Sequence, residues 1–129
     1  CAATTSSTPV LRYQDLKSGV HINGVGSYQP SMQEIDSETI KNALVFVDSR
    51  ESALSETGDL TIPIKEGIIG KDHLRAEIGE LLENPSLGRK TPDEITFFKS
   101  CGVAVQDVVA AGMALEQAKK HNLGRIIRM

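Results

Sequence analysis

The chain of 129 residues carries 14 Lys and Arg against 17 Asp and Glu, which gives a formal net charge of −3 at pH 7. This length suits one domain with a buried core, and the weakly acidic balance excludes the strong positive field of a general nucleic-acid binder. The two cysteines have no metal-ligand or disulfide spacing, and neither a leader peptide nor an apolar run of membrane length is visible, so we expect a cytoplasmic protein without a metal, a nucleic-acid partner or a membrane.

The first eight residues are small and rich in hydroxyl groups. On composition alone, a disordered tail is the commoner case. The alternative is a strand end at which Thr4, Thr5 and Ser6 hydrogen-bond a ligand.

A strand followed by a glycine loop organises the first half of the chain. Residues 20–23 have strand character and run into Gly24 and Gly26 before Pro30, which predicts a buried strand that opens into a tight loop. In open α/β sheets, ligands lie outside the carboxyl ends of the strands, and glycines let the backbone approach them. We therefore expect a site at this loop.

A helix and a second buried strand follow. Asp36 is a good helix cap, and Ile40 and Ala43 have the spacing of a buried stripe. The short apolar run at 44–47 predicts a fully buried strand that ends at Asp48. A strand, a helix and a strand with short links predict a parallel sheet.

The middle of the chain reads as helical. Residues 49–57 predict a short helix with Ala53 inward and Gly58 as its stop, whereas Pro63 argues against a central strand at 60–64. Beyond this segment, apolar residues at helical spacing predict a helix that ends near Asn84. These residues are Leu74, Ile78 and Leu81.

The last third combines one strand with the strongest helix. Residues 91–94 form a capping-box pattern that predicts one helical turn, and the β-branched and aromatic residues 95–98 predict a short strand. From Gly102 onward, apolar residues recur at steps of four and three, which predicts a helix that ends at Lys119 and Lys120 before Gly124.

Gly24 and Gly26, with Asp48 roughly 20 residues further on, imitate a dinucleotide-binding fingerprint. However, Gln29 occupies the position of the third glycine. Pro30 follows before any helix begins, so the loop is not followed by a helix amino terminus that could bind a pyrophosphate. The commoner explanation of Asp48 is a cap for the helix after it.

Isolated side chains add little chemistry. We expect His21 to be a hydrogen-bonded core histidine, His73 and His121 to lie on the surface, and Cys101 to be a small buried residue rather than a reactive thiol. From the residues alone, the chain is part of a parallel α/β sheet with a glycine-edged crevice.

Ordered blocks along nearly the whole chain resemble one known family, the ornithine cyclodeaminase and mu-crystallin family of NAD(P)-dependent enzymes. Two of them read Gly-Val-His-Ile-Asn-Gly-Val-Gly at 19–26 and Ile-Thr-Phe-Phe-Lys-Ser-Cys-Gly at 95–102. The resemblance implies an α/β fold, namely the second half of a Rossmann-type parallel sheet with flanking helices, as a fragment of a larger two-domain protein.

The same resemblance implies the domain organisation and the ligands. Residues 1–101 would be the C-terminal half of the NAD(P)-binding Rossmann domain, and residues 102–129 a helix that returns to an absent substrate and dimerisation domain. The cofactor would be NAD or NADP, the substrate a small amino or imino acid, and the intact protein a homodimer. The family's glycine fingerprint and substrate-gripping Lys and Arg would precede Cys1.

Residue roles also follow from the resemblance. Cys101 would contact the substrate through its backbone, and Glu56 would face the ligand pocket, although an exposed helix-end glutamate is its commoner interpretation from sequence alone. The residues implied to bind the cofactor are Thr4, Thr5, Ser6, Val25 and Ser100.

The resemblance also places the candidate catalytic residue Tyr28 at the position where cyclodeaminases and related alanine dehydrogenases carry an acid/base aspartate. A tyrosine, with an ordinary pKa near 10, is a poor general base at neutral pH but can donate a proton or hydrogen bond. We therefore expect hydride transfer on a small amino or imino acid, by a ketimine or pyrroline-2-carboxylate reductase or an amino-acid dehydrogenase. The alternatives are ornithine cyclodeaminase, a lyase that makes proline and ammonia, and a non-catalytic crystallin-like binding protein. The 129 residues alone are expected to be inactive.

Overall fold

The computed structural model describes residues 1–125 and 127, and four parallel strands form its sheet. The strands are β1 (His21–Gly24), β2 (Leu44–Val47), β3 (Leu74–Glu77) and β4 (Thr96–Lys99). Their spatial order is β1-β4-β2-β3, so the strand that comes last in the sequence lies between the first two. Ile22 and Val45 both pair with Phe97 in register.

The N-terminal segment, residues 1–6, is attached to the free side of β1. Ala2 forms a parallel bridge with Gly24, its N–H donates to Asn23 at 2.8 Å, and its carbonyl accepts from Val25 at 2.9 Å. The expectation of a disordered tail is therefore wrong for this segment, because strand pairing satisfies its backbone groups.

Among the described residues, five α-helices accompany the strands: α1 (Ser37–Asn42), α2 (Arg50–Glu56), α3 (Gly58–Lys65), α4 (Ile78–Glu83) and α5 (Ala104–Lys120). Side-chain caps define where the first three begin. Asp36 accepts the Thr39 N–H at 3.0 Å and confirms the predicted cap of α1, whereas Ser49 caps α2 and Thr57 caps α3.

The core lies on one face of the sheet. Side chains from β1, β2 and β4 point into this core and pack against side chains from α1, α2 and α3, which cover that face of the sheet. The residues are Ile22, Val45, Val47, Phe97, Ile40, Ala53 and Leu60, each at most 5% exposed. The predicted buried strand at 44–47 is confirmed. The strand predicted at 20–23 is found at His21–Gly24, where Ile22 and Gly24 are buried and His21 is exposed.

The helix predicted from Leu74, Ile78 and Leu81, ending near Asn84, is wrong in its first half. Leu74 and Ala76 are buried while Arg75 between them is exposed, so residues 74–77 form β3 beside β2. The helix begins only at Ile78, which is 38% exposed. Leu74 and Ile78 have the spacing of a helix by coincidence, because one belongs to a strand and the other to the next element.

Gly58 does not end the helical region but begins α3, which contains Pro63. A β-carbon on Gly58 would lie 2.1 Å from the Met32 carbonyl oxygen, so glycine is needed there for close backbone approach. The absence of a central strand at 60–64 is confirmed. Residues 91–94 form a turn rather than a helix, in which the Glu94 carboxylate accepts the Thr91 N–H.

α5 confirms the strongest predicted helix. It extends away from the rest of the chain, and none of the residues of α5 is buried. Val105, Val108 and Met113 are each more than 60% exposed. Within residues 1–125, no helix combines the length and the apolar character needed to cross a bilayer.

Candidate functional site

The carboxyl ends of all four strands meet along one side of the sheet, which we call the carboxyl edge. Its residues are Gly24, Lys99, Val47 and Glu77, in spatial order. Three segments emerge there that contain predicted site residues: the N-terminal segment, the glycine loop (24–27) and the β4–α5 loop (100–102). In parallel sheets this is the side on which ligands bind, so the carboxyl edge is the candidate site.

Glu34 joins the N-terminal segment to the glycine loop. Its carboxylate, fully buried, accepts N–H groups from Gly26 at 2.8 Å and Ser27 at 3.0 Å, and a further one from Thr4. Burial by itself would raise the pKa of Glu34, but these three donors outweigh it and the pKa is lowered. A β-carbon on Gly26 would lie 2.1 Å from the Thr4 carbonyl oxygen, so only glycine lets the two segments approach this closely.

A buried ion pair lies beneath the carboxyl edge. Lys99 Nζ is 3.3 Å from Asp59 Oδ2, and both side chains are fully inaccessible. Neither atom has a hydrogen-bonding partner among the described residues, so the contact is an ion pair with poor hydrogen-bond angles. The other carboxylate oxygen of Asp59 accepts the Glu34 N–H at 2.7 Å and the Ile35 N–H at 3.1 Å.

Burial raises the pKa of Asp59, and the charge of Lys99 and the two backbone donors oppose that rise. The pair thereby connects β4 through α3 to the backbone on either side of Glu34, which itself holds the glycine loop.

Asp48 is not the helix cap that the sequence predicted. Its Oδ2 accepts the Ser100 hydroxyl at 2.9 Å, the Cys101 N–H at 2.9 Å and the Gly102 N–H at 2.8 Å, while Ser49 caps α2. The predicted cap was wrong because Asp48, at the end of β2, has a different partner. The β4–α5 loop reaches Asp48 only when β4 has paired with β2 in the sheet. Gly102, at φ +82°, has the left-handed conformation that this turn toward Asp48 requires.

Cys101 is half-buried, and burial raises the pKa of its thiol to about 11, with Lys99 opposing and Asp48 and Glu56 adding to the rise. The thiol is therefore protonated at neutral pH and is a poor nucleophile, in agreement with the expected unreactive cysteine. Glu56 is exposed at the end of α2, yet its charge reaches the Cys101 sulfur.

The structure brings most of the predicted site residues to the carboxyl edge, and their roles stay predictions. Thr4 and Thr5 are exposed, Ser6 and Ser100 are half-buried, and Val25 is 53% exposed. The Tyr28 side chain is 52% exposed and hydrogen-bonds none of the residues that the structure describes.

Three charged residues that hold this edge together were not predicted from the sequence: Glu34, Asp59 and Lys99. The only signal for Lys99 is its place directly after two phenylalanines at the end of a predicted buried strand. Glu34 and Asp59 stand in polar surroundings that are typical of exposed loops.

A separate groove of about 450 Å³ opens on the other face of the sheet and contains Phe98 and Arg89. His21 borders it, exposed rather than in the core, with Nδ1 2.8 Å from Thr96 Oγ1; the predicted core histidine is therefore wrong. His73 is half-buried and lies 2.8 Å from the Ile40 carbonyl oxygen, whereas His121 is exposed as predicted. Over residues 1–125, no cluster of His, Cys, Asp or Glu could hold a metal ion.

Comparison with known proteins places this edge in context. The model of the ornithine cyclodeaminase/mu-crystallin family matches residues 1–122. A Delta(1)-pyrroline-2-carboxylate reductase of Bacillus cereus is 45% identical over 125 residues, which cover 96% of this chain and 38% of that protein.

Two solved structures share the fold. The Delta(1)-pyrroline-2-carboxylate reductase of Thermococcus litoralis, in complex with NADH and L-proline, has a TM-score of 0.91 at 41% identity, over 97% of this chain and 39% of that one. An archaeal alanine dehydrogenase dimer with bound NAD has a TM-score of 0.87 at 35% identity, over 98% and 39%. The chain thus spans somewhat more than a third of the length of these relatives.

Proposed function

The chain belongs to the ornithine cyclodeaminase/mu-crystallin family, as its ordered blocks predicted, and from this premise we propose that the full-length protein transfers hydride between NAD or NADP and the α-carbon of a small imino or amino acid. Its leading substrate is a cyclic imine such as pyrroline-2-carboxylate. The observation that carries the proposal is the 45% identity over nearly the whole chain to a pyrroline-2-carboxylate reductase.

The carboxyl edge fits such a role. It presents the exposed residue Val25 and the half-buried residue Ser100, while Glu34 and Asp48 fix the loops behind them. Cys101, held as a thiol, offers no competing nucleophile. A bound nicotinamide would supply the hydride, and these residues would bind it, orient it and restrict water.

We assign the residues of this edge as follows. The cofactor would meet Ser100, Val25 and the N-terminal segment at Thr4, Thr5 and Ser6. The substrate would meet the Cys101 backbone and Glu56, whose charge already reaches that residue. Tyr28 would donate a hydrogen bond or proton rather than accept one.

The first experiment is a turnover assay on the full-length protein with NADH or NADPH and pyrroline-2-carboxylate. We expect the absorbance of the reduced cofactor to fall. A panel of imino acids, and of keto acids with ammonia, defines the substrate class. If no member of the panel oxidises either cofactor, the proposal is wrong.

The same preparation separates the rivals. Release of proline and ammonia from ornithine, without net change in the cofactor, would identify a cyclodeaminase. Tight cofactor binding without any turnover would identify a crystallin-like binding protein. The Tyr28→Asp variant helps to distinguish these rivals, because it introduces the aspartate that the resemblance associates with cyclodeaminases.

The exposed apolar side chains of α5 support a further part of the proposal. A helix with Val105, Val108 and Met113 each more than 60% exposed is expected to pack against other protein. We propose that it returns to a substrate and dimerisation domain in a homodimer of the full-length protein. Light scattering on that protein tests the dimer, since a monomer at micromolar concentration would contradict it.

A further inference from the structure

Tyr28 combines a backbone that is held on both sides with a side chain that is free. On one side, the Ser27 N–H donates to Glu34 Oε2 at 3.0 Å. On the other side, the Gln29 carbonyl accepts the Gly58 N–H at 3.1 Å. Tyr28 itself is 52% exposed, and its hydroxyl hydrogen-bonds nothing in the described part of the chain, so the phenol is available to a ligand.

The hydroxyl of Ser27 ties this segment to the start of α3. It is fully buried, donates to the Met32 carbonyl at 2.7 Å, and lies 2.7 Å from Thr57 Oγ1. A hydroxyl has a single proton, and that of Ser27 is used on a carbonyl, so Thr57 is the donor in the second bond. Thr57, which is also fully buried, accepts the Asp59 N–H at 3.2 Å and is therefore free to donate its own proton to Ser27.

These three hydrogen bonds form a chain with one direction. It begins at the Asp59 N–H in the first turn of α3, passes through the hydroxyls of Thr57 and Ser27, and ends at the Met32 carbonyl. Hydrogen bonds arranged in this way polarise one another, and the loss of a buried member leaves its neighbours unsatisfied. Thr57 thus caps α3 and also holds the residue directly before Tyr28.

We propose that Thr57 is a positioning residue for Tyr28: through the Ser27 hydroxyl, it fixes the backbone from which the phenol reaches the substrate. This inference rests on the proposed function, in which Tyr28 donates a hydrogen bond or proton. Thr57 acts only through Tyr28, because it is fully buried and does not itself meet a ligand. A donor that is already oriented contributes in the transition state, so its positioning affects mainly kcat.

The test is a double-mutant cycle on the full-length protein. Thr57→Val keeps the size and shape of the side chain and removes its hydroxyl, whereas Thr57→Ser keeps the hydroxyl. Thr61→Val is the matched control. Thr61 is a buried residue of the same helix, and its hydroxyl has no hydrogen-bonding partner among the described residues. Each variant is made in the wild-type and in the Tyr28→Phe background.

We expect Thr57→Val to lower kcat by roughly three- to thirtyfold and to leave KM within about twofold, as a misplaced group that acts in the transition state would do. Thr57→Ser should restore kcat, and Thr61→Val should leave it unchanged. In the Tyr28→Phe background, Thr57→Val should have no further effect on kcat, because the group through which Thr57 acts is gone.

Three results would overturn this role of Thr57. The first is an equal loss of kcat on Thr57→Val in both backgrounds, which is the sign of a general effect on the fold. The second is an unchanged kcat in folded Thr57→Val, and the third is an unchanged kcat in Tyr28→Phe. If Thr57→Val does not fold, Ser27→Ala breaks the same hydrogen-bond chain from its other end and is judged by the same criteria.

A second measurement separates this inference from the proposed function. In protein labelled with fluorotyrosine, the fluorine NMR signal that Tyr28→Phe removes belongs to Tyr28. We expect Thr57→Val to shift or broaden this signal, and Thr57→Ser and Thr61→Val to leave it in place. An unchanged signal in Thr57→Val overturns the positioning role even where turnover persists. Failure of the proposed function looks different, because no imino or keto acid would then oxidise the cofactor.

Discussion

Lys99 and Asp59 form an ion pair of 3.3 Å with both side chains fully buried, although they lie on different elements, at the end of β4 and in the first turn of α3. Removing one charge from such a pair leaves the other without compensation in a medium that solvates it poorly. The ion pair therefore couples strand β4 to helix α3, which supports the glycine loop through Glu34.

For the variant Lys99→Met, we expect the free energy of unfolding to fall by about 3–5 kcal/mol, because Asp59 is left as an unpaired buried carboxylate. Denaturant titration of the full-length protein measures the change. The double variant Lys99→Met/Asp59→Asn should lose less than Lys99→Met alone, since it carries neither charge and keeps an amide oxygen for the two backbone donors. Equal losses in both variants would contradict a coupled pair.

Gly26→Ala tests the contact between the glycine loop and the N-terminal segment. The new β-carbon would lie 2.1 Å from the Thr4 carbonyl oxygen and 2.5 Å from Glu34 Oε1, so we expect a loss of about 1–3 kcal/mol, the usual cost of overpacking. Gly112→Ala is the matched control. It has no atom within 4 Å of the new β-carbon and lies inside α5, where alanine stabilises a helix by about 0.5–1 kcal/mol.

Glu34 predicts a specific pH dependence of stability. Its folded-state pKa is lowered by three N–H donors despite burial, so its contribution is complete above the unfolded pKa of about 4.3 and is lost as the pH falls through the lowered folded value. We expect Glu34→Gln to be less stable than the wild type at pH 7, with the difference shrinking below pH 4.3. Unfolding measured across that range checks the sign; a difference that grows toward acid would contradict it.

Asp48→Ala should release the β4–α5 loop. Three donors at 2.8–2.9 Å lose their common acceptor, and we expect the amides of Cys101 and Gly102 to exchange with solvent at least tenfold faster, since each loses its hydrogen bond to a charged group. Hydrogen exchange followed by mass spectrometry or NMR measures this. Ser49→Ala, which removes the α2 cap alone, should leave exchange at these two amides unchanged.

The two cysteines should differ in reactivity. With its pKa raised to about 11 by burial, Cys101 has on the order of a thousandth of its sulfur as thiolate at pH 8, and only the thiolate is nucleophilic. Cys1 is exposed. We expect iodoacetamide to modify Cys1 much faster in the folded protein and both residues at similar rates after denaturation, as read by peptide mass. Equally fast labelling in the folded state would contradict the shielded thiol.

Local patterns were sufficient for several elements. The apolar run at 44–47 predicted β2, Asp36 predicted the start of α1, and the period of apolar residues after Gly102 predicted α5, because each depends on neighbours a few positions away. The same kind of pattern failed at Leu74 and Ile78, where four residues of alternation are too few to distinguish a strand from a helix.

The sequence alone determined the family and the parallel α/β class, and it predicted the side of the sheet on which a ligand would bind, since ordered blocks and the order of strands and glycines are properties of the chain read in one direction. Only the tertiary structure decided that Asp48 serves the β4–α5 loop, that Glu34 joins two loops, and that Lys99 pairs with Asp59. Asp48 and Lys99 find their partners across elements that become neighbours only when β4 inserts between β1 and β2, and Glu34 meets Thr4 only when the N-terminal segment pairs with β1. Such contacts leave no local periodicity to read.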